Sequence, residues 1–300
     1  MEVSNPDRVV YPEDGITKGQ VVAYYEAMAP RIFPFIAGRA LTVERYPRGT
    51  GEKGFMQKNA PDHFGNDLIR RHETPKEGGG TTMYPVVDSE EAIAAFANWG
   101  VITFHVPPVT IDDEWHPDWV VWDLDPPPGQ VDLVREAATR LRAILERFGI
   151  ATVSMTSGSK GYHLRSRLVK TLDIEAAATM ARGVAALASA EHDELMTIAF
   201  LKKERGNRVF VDWLRNASYA TSVAPWSLRA RPGAPVATPI RWEQVPEVDP
   251  DGIHIGEAVD VDPDPWKGTK PADLTAAAER VDQALAEAGI VLEPFDRFRP

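Results

Sequence analysis

Three aspartates in this sequence have the spacing to hold divalent metal. In Trp119-Val-Val-Trp-Asp-Leu-Asp-Pro, a β-branched and aromatic run of strand length, alternation puts Asp123 and Asp125 on one face and Trp122 and Leu124 on the other. Two carboxylates held that close repel unless one protonates or a divalent cation lies between them. The bland alternative is a solvated turn, since Asp-Pro is frequent where strands end. Asp212 lies in Val209-Phe-Val-Asp-Trp-Leu, a second short strand with one acid among bulky apolar residues. Such an acid needs a cation, either a metal or a salt bridge to Arg208 or Arg215. Two plus one carboxylates on adjacent strands are the donor set of a two-metal phosphoryl-transfer site, with ions about 4 Å apart. The chain has no cysteine, so thiolate sites, disulfides and a cysteine nucleophile are excluded, and hard, oxygen-ligated ions are favoured.

Between the two strands lies Thr156-Ser-Gly-Ser-Lys-Gly-Tyr-His-Leu. Its glycines permit close backbone approach, and its amides, hydroxyls and Lys160 could surround a triphosphate. The spacing is not that of a Walker loop, and a plain hairpin turn is the alternative. His163 reads either as a buried structural histidine or as a charged donor to a phosphate oxygen. Leu201-Lys-Lys-Glu-Arg-Gly-Asn-Arg and Trp226-Ser-Leu-Arg-Ala-Arg flank the Asp212 strand with cations, which are solvated charges or, for Arg205 and Arg229, triphosphate ligands.

The elements that must position these groups follow from periodicity. Thr17 and Gln20 form a capping-box pattern opening a helix through Val21, Tyr24, Tyr25 and Met28, with a stop predicted at Pro30. Ser89 is predicted to cap a second helix through Ile93, Phe96 and Ala97. The Trp119–Leu124 strand leads to a helix over Asp132–Arg147 with Gly149 as its C-cap glycine, then a strand over Ala151–Thr156, a strand, helix, strand unit. A helix over Leu172–Ala190, a strand over Arg208–Trp213 and a terminal helix over Asp273–Glu287 complete an α/β or α+β chain. Pro- and Gly-rich joints at Thr74–Gly80, Pro126–Gly129, Arg231–Pro239 and Asp260–Lys270 mark segments of one compact body.

The 300 residues, 43% hydrophobic and 26% charged, are ordinary globular composition. No run of about eighteen apolar residues is present to span a bilayer, and the N-terminus lacks a signal pattern, so a cytoplasmic protein with no membrane partner is expected. The net charge of −11 argues against extensive, tight duplex binding. It is uneven, however. From Glu247 to Pro300 there are 13 acidic and 5 basic residues, net −8, leaving 31 acidic and 28 basic, net −3, for residues 1–246.

Several stretches together resemble the archaeo-eukaryotic primase superfamily, most closely the polymerase domain of bacterial ligase D used in non-homologous end joining. They run from Asn5-Pro-Asp-Arg-Val-Val-Tyr-Pro through Ile16-Thr-Lys-Gly, Arg45-Tyr-Pro, Phe55-Met-Gln-Lys-Asn-Ala-Pro, Trp122-Asp-Leu-Asp-Pro-Pro, Ser157-Gly-Ser-Lys-Gly-Tyr-His and Val211-Asp-Trp-Leu-Arg-Asn to Ala234-Pro-Val. The resemblance implies that Asp123, Asp125 and Asp212 bind two Mn2+ or Mg2+ ions. It also implies that Ser157, Ser159, Lys160, His163, Arg205 and Arg229 contact an NTP or dNTP. By the same resemblance Lys18 and His105 grip the 5′-phosphate across a DNA gap, and Phe55 stacks on the template beside Met56 and Lys58. Three departures stand out. Arg8 replaces the family's usual lysine, Met56 replaces a second aromatic and offers no π face, and Val106-Pro-Pro follows His105 in place of an aromatic.

The implied fold is an RRM-like catalytic lobe, near residues 111–240, packed on an N-terminal α/β lobe, near 1–110, with an acidic C-terminal wrap over 241–300 and the active cleft between the lobes. Ligase and nuclease modules lie outside the resemblance, so a stand-alone, monomeric, nucleoid-associated bacterial version is expected, with a DNA ligase and end-binding repair proteins as partners. The expected activity is primer extension and gap filling on primer-template DNA with a 5′-phosphate, with ribonucleotide preference and primase activity by resemblance. Two alternatives use the same residues: a metal-dependent nuclease or phosphoesterase, and a non-catalytic DNA-end-binding module.

Overall fold

The computed structural model describes residues 2–65, 67–75 and 79–293. The chain folds into two compact units, one built from Met1–Val106, Val223–Thr238 and Asp251–Pro263, the other from Pro107–Ser222, Pro239–Pro250 and Asp264–Pro300.

In the first unit β1 (Val9–Tyr11) and β2 (Ile16–Thr17) form a ribbon that feeds α1 (Lys18–Ile36). The capping box forms as expected: the Thr17 hydroxyl accepts from the Gln20 amide, and the Gln20 side chain accepts from the Thr17 amide at 2.8 Å. The predicted stop at Pro30 is wrong, because α1 continues through Pro30 and Pro34 to Ile36. Both prolines lie on the exposed side of the helix, where the carbonyls they leave unpaired, on Glu26 and Pro30, reach water, while Ile32 and Ile36 extend the buried stripe. β3 (Thr42–Arg45), β4 (Phe55–Gln57), β5 (Ile69–Pro75), β6 (Thr81–Val87), α2 (Glu90–Asn98) and β7 (Val101–Val106) follow. Ser89 occupies the N-cap position of α2, but its hydroxyl makes no capping bond. β5 pairs with β6, and a four-stranded sheet runs β13-β7-β3-β4, with β13 (Ser222–Val223) where the chain re-enters this unit. α1 and α2 close over a core containing Tyr25, Phe64, Phe96 and Phe104. The joint predicted at Thr74–Gly80 begins inside β5, and its Lys76–Gly78 portion lies outside the described residues.

The second unit is built on β8 (Trp119–Asp125), α3 (Val131–Arg147), β9 (Val153–Thr156), β10 (Tyr162–Arg167), α4 (Ile174–Glu191), β11 (Met196–Thr197), α5 (Lys202–Arg205), β12 (Val209–Asp212), β14 (Pro239–Ile240) and α6 (Thr275–Glu287). The six strands run β11-β12-β8-β10-β9-β14. The predicted strand, helix, strand unit is present as β8-α3-β9, but β10 is inserted between its two strands, antiparallel to both. The strand expected to reach Trp213 ends at Asp212, where the chain tightens into a 3-10 turn over Leu214–Asn216. Asp273, expected inside the terminal helix, precedes it and takes the Thr275 amide on its carboxylate. Among the described residues no helix is long and apolar enough to cross a membrane.

Candidate active site

β8 carries the site because its two faces have opposite jobs. Trp122 and Leu124 are fully buried, and the Trp122 indole donates to the Ala181 carbonyl of α4 at 3.0 Å, which fixes the strand to the helix beneath. Asp123 and Asp125 therefore face the other way. Antiparallel register then assembles the rest. Asp212 of β12 is the direct partner of Asp123 on one side, and His163 of β10 is its partner on the other. One carboxylate oxygen from each of Asp123, Asp125 and Asp212 lies within 4.8 Å of the others.

Each carboxylate has a cationic or donor neighbour. Lys160 Nζ lies 3.2 Å from Asp125 Oδ1, and His163 Nε2 lies 3.3 Å from Asp123 Oδ1. Arg215 Nη2 pairs with Asp212 Oδ2 at 2.8 Å, and its Nε is 3.5 Å from Asp123 Oδ2. The salt-bridge partner of Asp212 is thus Arg215. Arg208 instead donates to the carbonyls of Glu204, Arg205 and Asp193. Burial pulls the Arg215 guanidinium down, and Asp123, Asp212 and Asp125 more than offset this, leaving its pKa raised.

Asp212 is only 4% exposed, and its pKa is pushed up to about 6, chiefly by burial, with Arg215 pulling it down and Asp123 pushing it further up. A divalent cation would relieve both the burial and the repulsion, so this donor set fits a hard metal, with Asp123, Asp125 and Asp212 as its ligands. The sign of the pH effect follows. Because the folded pKa of Asp212 is raised, the metal-free protein draws stability from its protonated form below about pH 3.8 and loses it as pH rises through about 6. Metal and proton compete for the same oxygen. The rise in melting temperature produced by Mn2+ is therefore expected to be small at ~pH 5 and to grow through ~pH 6 toward neutrality; an increment independent of pH in differential scanning fluorimetry would contradict the assignment.

The Arg215 turn is held by a residue that reading the motif alone leaves without a role. β12 stops pairing with β8 at Asp123, which would strand the Val121 amide and carbonyl. The Asn216 side chain replaces the missing strand: its Oδ1 accepts from Val121 N at 2.7 Å, and its Nδ2 donates to Val121 O at 2.7 Å and to Trp213 O at 2.8 Å. Asn216→Ala leaves these buried groups unpaired, and a loss of about 3 kcal/mol in denaturant unfolding is expected, with a lowered incorporation rate as Arg215 loses its footing. Unchanged stability would show that the amide is not a staple.

The glycine-rich stretch is the β9–β10 hairpin turn, closed by Ser157 N donating to Gly161 O at 2.9 Å, with the Gly161 amide donating to the Ser157 hydroxyl. Gly161 explains its place beside the aspartates, because a Cβ there would fall 1.7 Å from the Leu124 carbonyl oxygen. The backbone of the hairpin thus rests on the strand between Asp123 and Asp125. Ser159 is buried, and the Lys160 ammonium, partly exposed, reaches back to Asp125. His163 is buried, and its Nδ1 has no hydrogen-bond partner.

The remaining predicted residues are distributed as follows. Arg205, in α5, donates to the carbonyls of Ala199 and Phe200, and its guanidinium lies 3.7 Å over the Phe210 ring, on the sheet face of Asp212. Arg229 belongs to the first unit, with its carbonyl taking the Tyr11 hydroxyl. Also in that unit, Lys18 is buried and donates to the Ser4 carbonyl and hydroxyl, its pKa lowered by burial and by Arg8, while Arg8 donates to the Pro47 carbonyl. Phe55 and Met56 are exposed on β4, with Arg45 beside the Phe55 ring and Lys58 exposed just beyond. His105 is half-buried on β7, opposite Thr42.

A carboxylate triad on one face of a sheet in a mixed α/β chain, with a lysine-bearing glycine turn beside it, is a donor set suited to divalent metal and to phosphoryl-transfer chemistry. The comparisons with known proteins agree. Residues 17–266 match the family model described as the LigD primase-polymerase domain. The multifunctional non-homologous end joining protein LigD of Mycolicibacterium smegmatis is 34% identical over 258 residues, covering 85% of this chain and 33% of that protein. The bifunctional LigD of Bacillus subtilis is 29% identical over 247 residues, 82% of this chain and 39% of the relative. The solved polymerase domain of Mycobacterium tuberculosis ligase D in complex with DNA superposes with a TM-score of 0.76 at 28% identity, covering 100% of this chain and 99% of that one. The chain belongs to the LigD primase-polymerase domain family, and it spans about a third of the length of the first curated relatives it matches.

Proposed function

We propose that this chain extends primer strands and fills short gaps at broken DNA ends during non-homologous end joining in the bacterial cytoplasm, on the nucleoid. The observation that carries this reading is the convergence of Asp123, Asp125 and Asp212 within 4.8 Å beside Lys160 and His163 of the β9–β10 hairpin. Two bound Mn2+ or Mg2+ ions would supply Lewis acidity at the attacking hydroxyl and neutralise charge on the triphosphate. The chain's residues do the rest. The three aspartates hold the ions, and Lys160, Ser157, Ser159 and His163, with Arg205 and Arg229, bind the triphosphate oxygens. The primer 3′-oxygen bonds to the α-phosphorus as the bond to the β-phosphate oxygen breaks, pyrophosphate leaves with its charge on these cations, and the hydroxyl proton passes to solvent.

Arg8, Lys18 and His105 are assigned to the 5′-phosphate across the gap, and Phe55, Met56 and Lys58 to the template. Exposed aromatic and thioether side chains beside cations suit stacking on bases with backbone contact. We assign the whole chain to one primase-polymerase domain, acting as a monomer beside a DNA ligase and end-binding repair proteins, accepting ribonucleotides and able to prime. The test is incorporation of labelled NTP and dNTP on a gapped duplex with a 5′-phosphate, in Mn2+ and in Mg2+. Lengthening that favours NTP is expected. Shortening of the strand would replace this reading by a nuclease, and metal-independent DNA binding without turnover by a passive end-binding module.

A further inference from the structure

β4 is the edge strand of its four-stranded sheet, and it holds Phe55 and Met56 out to solvent. Arg45 lies 5.7 Å from the centre of the Phe55 ring, and Lys58 is exposed just past the strand. We propose that Met56 is a site of reversible oxidation and that its sulfoxide weakens the hold of this strand on single-stranded template. The effect on template rests on the assignment of β4 made above, whereas the modification itself stands on burial and sulfur chemistry.

Exposure singles out this sulfur. The chain has no cysteine, so the thioethers are the sulfur that a peroxide can oxidise, and the more accessible ones react first. Among the described residues Met28, Met155, Met180 and Met196 are at most 1% exposed, Met83 is half-buried, and Met56 is 52% exposed. The step is a two-electron oxygen transfer. The Met56 thioether attacks one oxygen of hydrogen peroxide, the S–O bond forms as the O–O bond breaks, and sulfur is oxidised while the peroxide is reduced. The proton of the transferred oxygen passes to the departing hydroxide, which leaves as water. A methionine sulfoxide reductase reverses the change, with the oxygen leaving as water while two thiols become a disulfide.

The product lacks what contact with a base requires. A thioether is apolar and polarisable and packs well on a ring, but a sulfoxide is polar and carries an oxygen that must be hydrated or hydrogen-bonded. A base laid over it would strip that water without replacing it. The Phe55 ring alongside is untouched by peroxide, so oxidation removes one part of the exposed pair and leaves the other. The fold has no stake in the change. Met56 lies outside the core of this unit, and the ladder from β4 to β3, in which it pairs with Glu44, runs through backbone groups. Where the family carries a second aromatic, this chain therefore carries a group that an oxidant can switch.

The test treats the full chain with graded hydrogen peroxide in the presence of a chelator and follows each methionine by peptide mass spectrometry. Met56 is expected to oxidise roughly tenfold faster than the four buried methionines, and a saturating primer-template with a single-stranded overhang is expected to slow it. Equal rates at Met56 and the buried sites overturn the proposal. The oxidised protein is then titrated with a fluorescent overhang. Its Kd is expected to rise about fivefold, the weight of one thioether contact with a ring, at an unchanged melting temperature. Treatment with sulfoxide reductase and dithiothreitol is expected to restore the untreated value, and Met56→Leu to show the same Kd before and after peroxide. An oxidised wild type that binds as before, or a Met56→Leu variant that responds equally, overturns the effect on template. Untreated protein that neither binds the overhang nor is protected by it overturns the template assignment of β4, and the mass spectrum still decides whether Met56 is the oxidised site.

Discussion

Asp123→Ala is expected to lower nucleotide incorporation on gapped DNA by about a thousandfold, the largest effect of any single substitution at the site. Metal stabilisation of developing charge contributes several kcal/mol, and each 1.4 kcal/mol is about tenfold in rate. Asp123 is the choice because it is the hub: it pairs in register with both Asp212 and His163, and Arg215 and His163 both approach its carboxylate. Arg215 keeps Asp212 at 2.8 Å without it, so the fold has no reason to fail. The removal of one acid also lessens the repulsion that raises the Asp212 pKa. The measurement is single-turnover incorporation beside thermal unfolding in the absence of metal. A rate within tenfold of wild type, on a protein of wild-type melting temperature, would show that the triad is not the metal centre.

Gly161→Ala is expected to be nearly as damaging by a different route. Its new methyl would meet the Leu124 carbonyl oxygen at 1.7 Å and the Leu124 carbonyl carbon at 3.0 Å, both backbone atoms that cannot rotate away. The hairpin or β8 must shift by about 1 Å or more, and displacement of that size at reacting groups costs on the order of a hundredfold in rate. Overpacking of this kind also costs roughly 1–3 kcal/mol of stability. Both losses are expected together, read as kcat and as the denaturation midpoint, with the KM for primer-template less affected than kcat. An alanine variant with wild-type kcat would mean that the turn does not rest on the strand between the aspartates.

That close contact illustrates what reading along the chain could reach. The glycine was recognisable as permitting close approach, but the atom approached, the Leu124 carbonyl, is 37 residues away in sequence. In the sequence Arg215 is only one of two salt-bridge candidates for Asp212, and nothing local distinguishes it from Arg208. The difference lies in the 3-10 turn that Asn216 pins to Val121, a contact 95 residues apart. The prolines of α1 show the opposite failure: their local chemistry is real, but its cost depends on which side of the helix faces water, and packing decides that.

That Asp123 and Asp125 share a face follows from strand alternation, a property of local covalent geometry that needs no partner. The capping box at Thr17 and the hard character of any metal site likewise follow from residue types alone. The positions of Asp212 and His163 directly across from Asp123, of β10 between β8 and β9, and of Arg215 bridging two of the acids arise only when the strands pair. Those are matters of register and strand order, set by pairings between residues far apart in the chain, and a one-residue slip in any of them would have sent the same aspartates to the other side of the sheet.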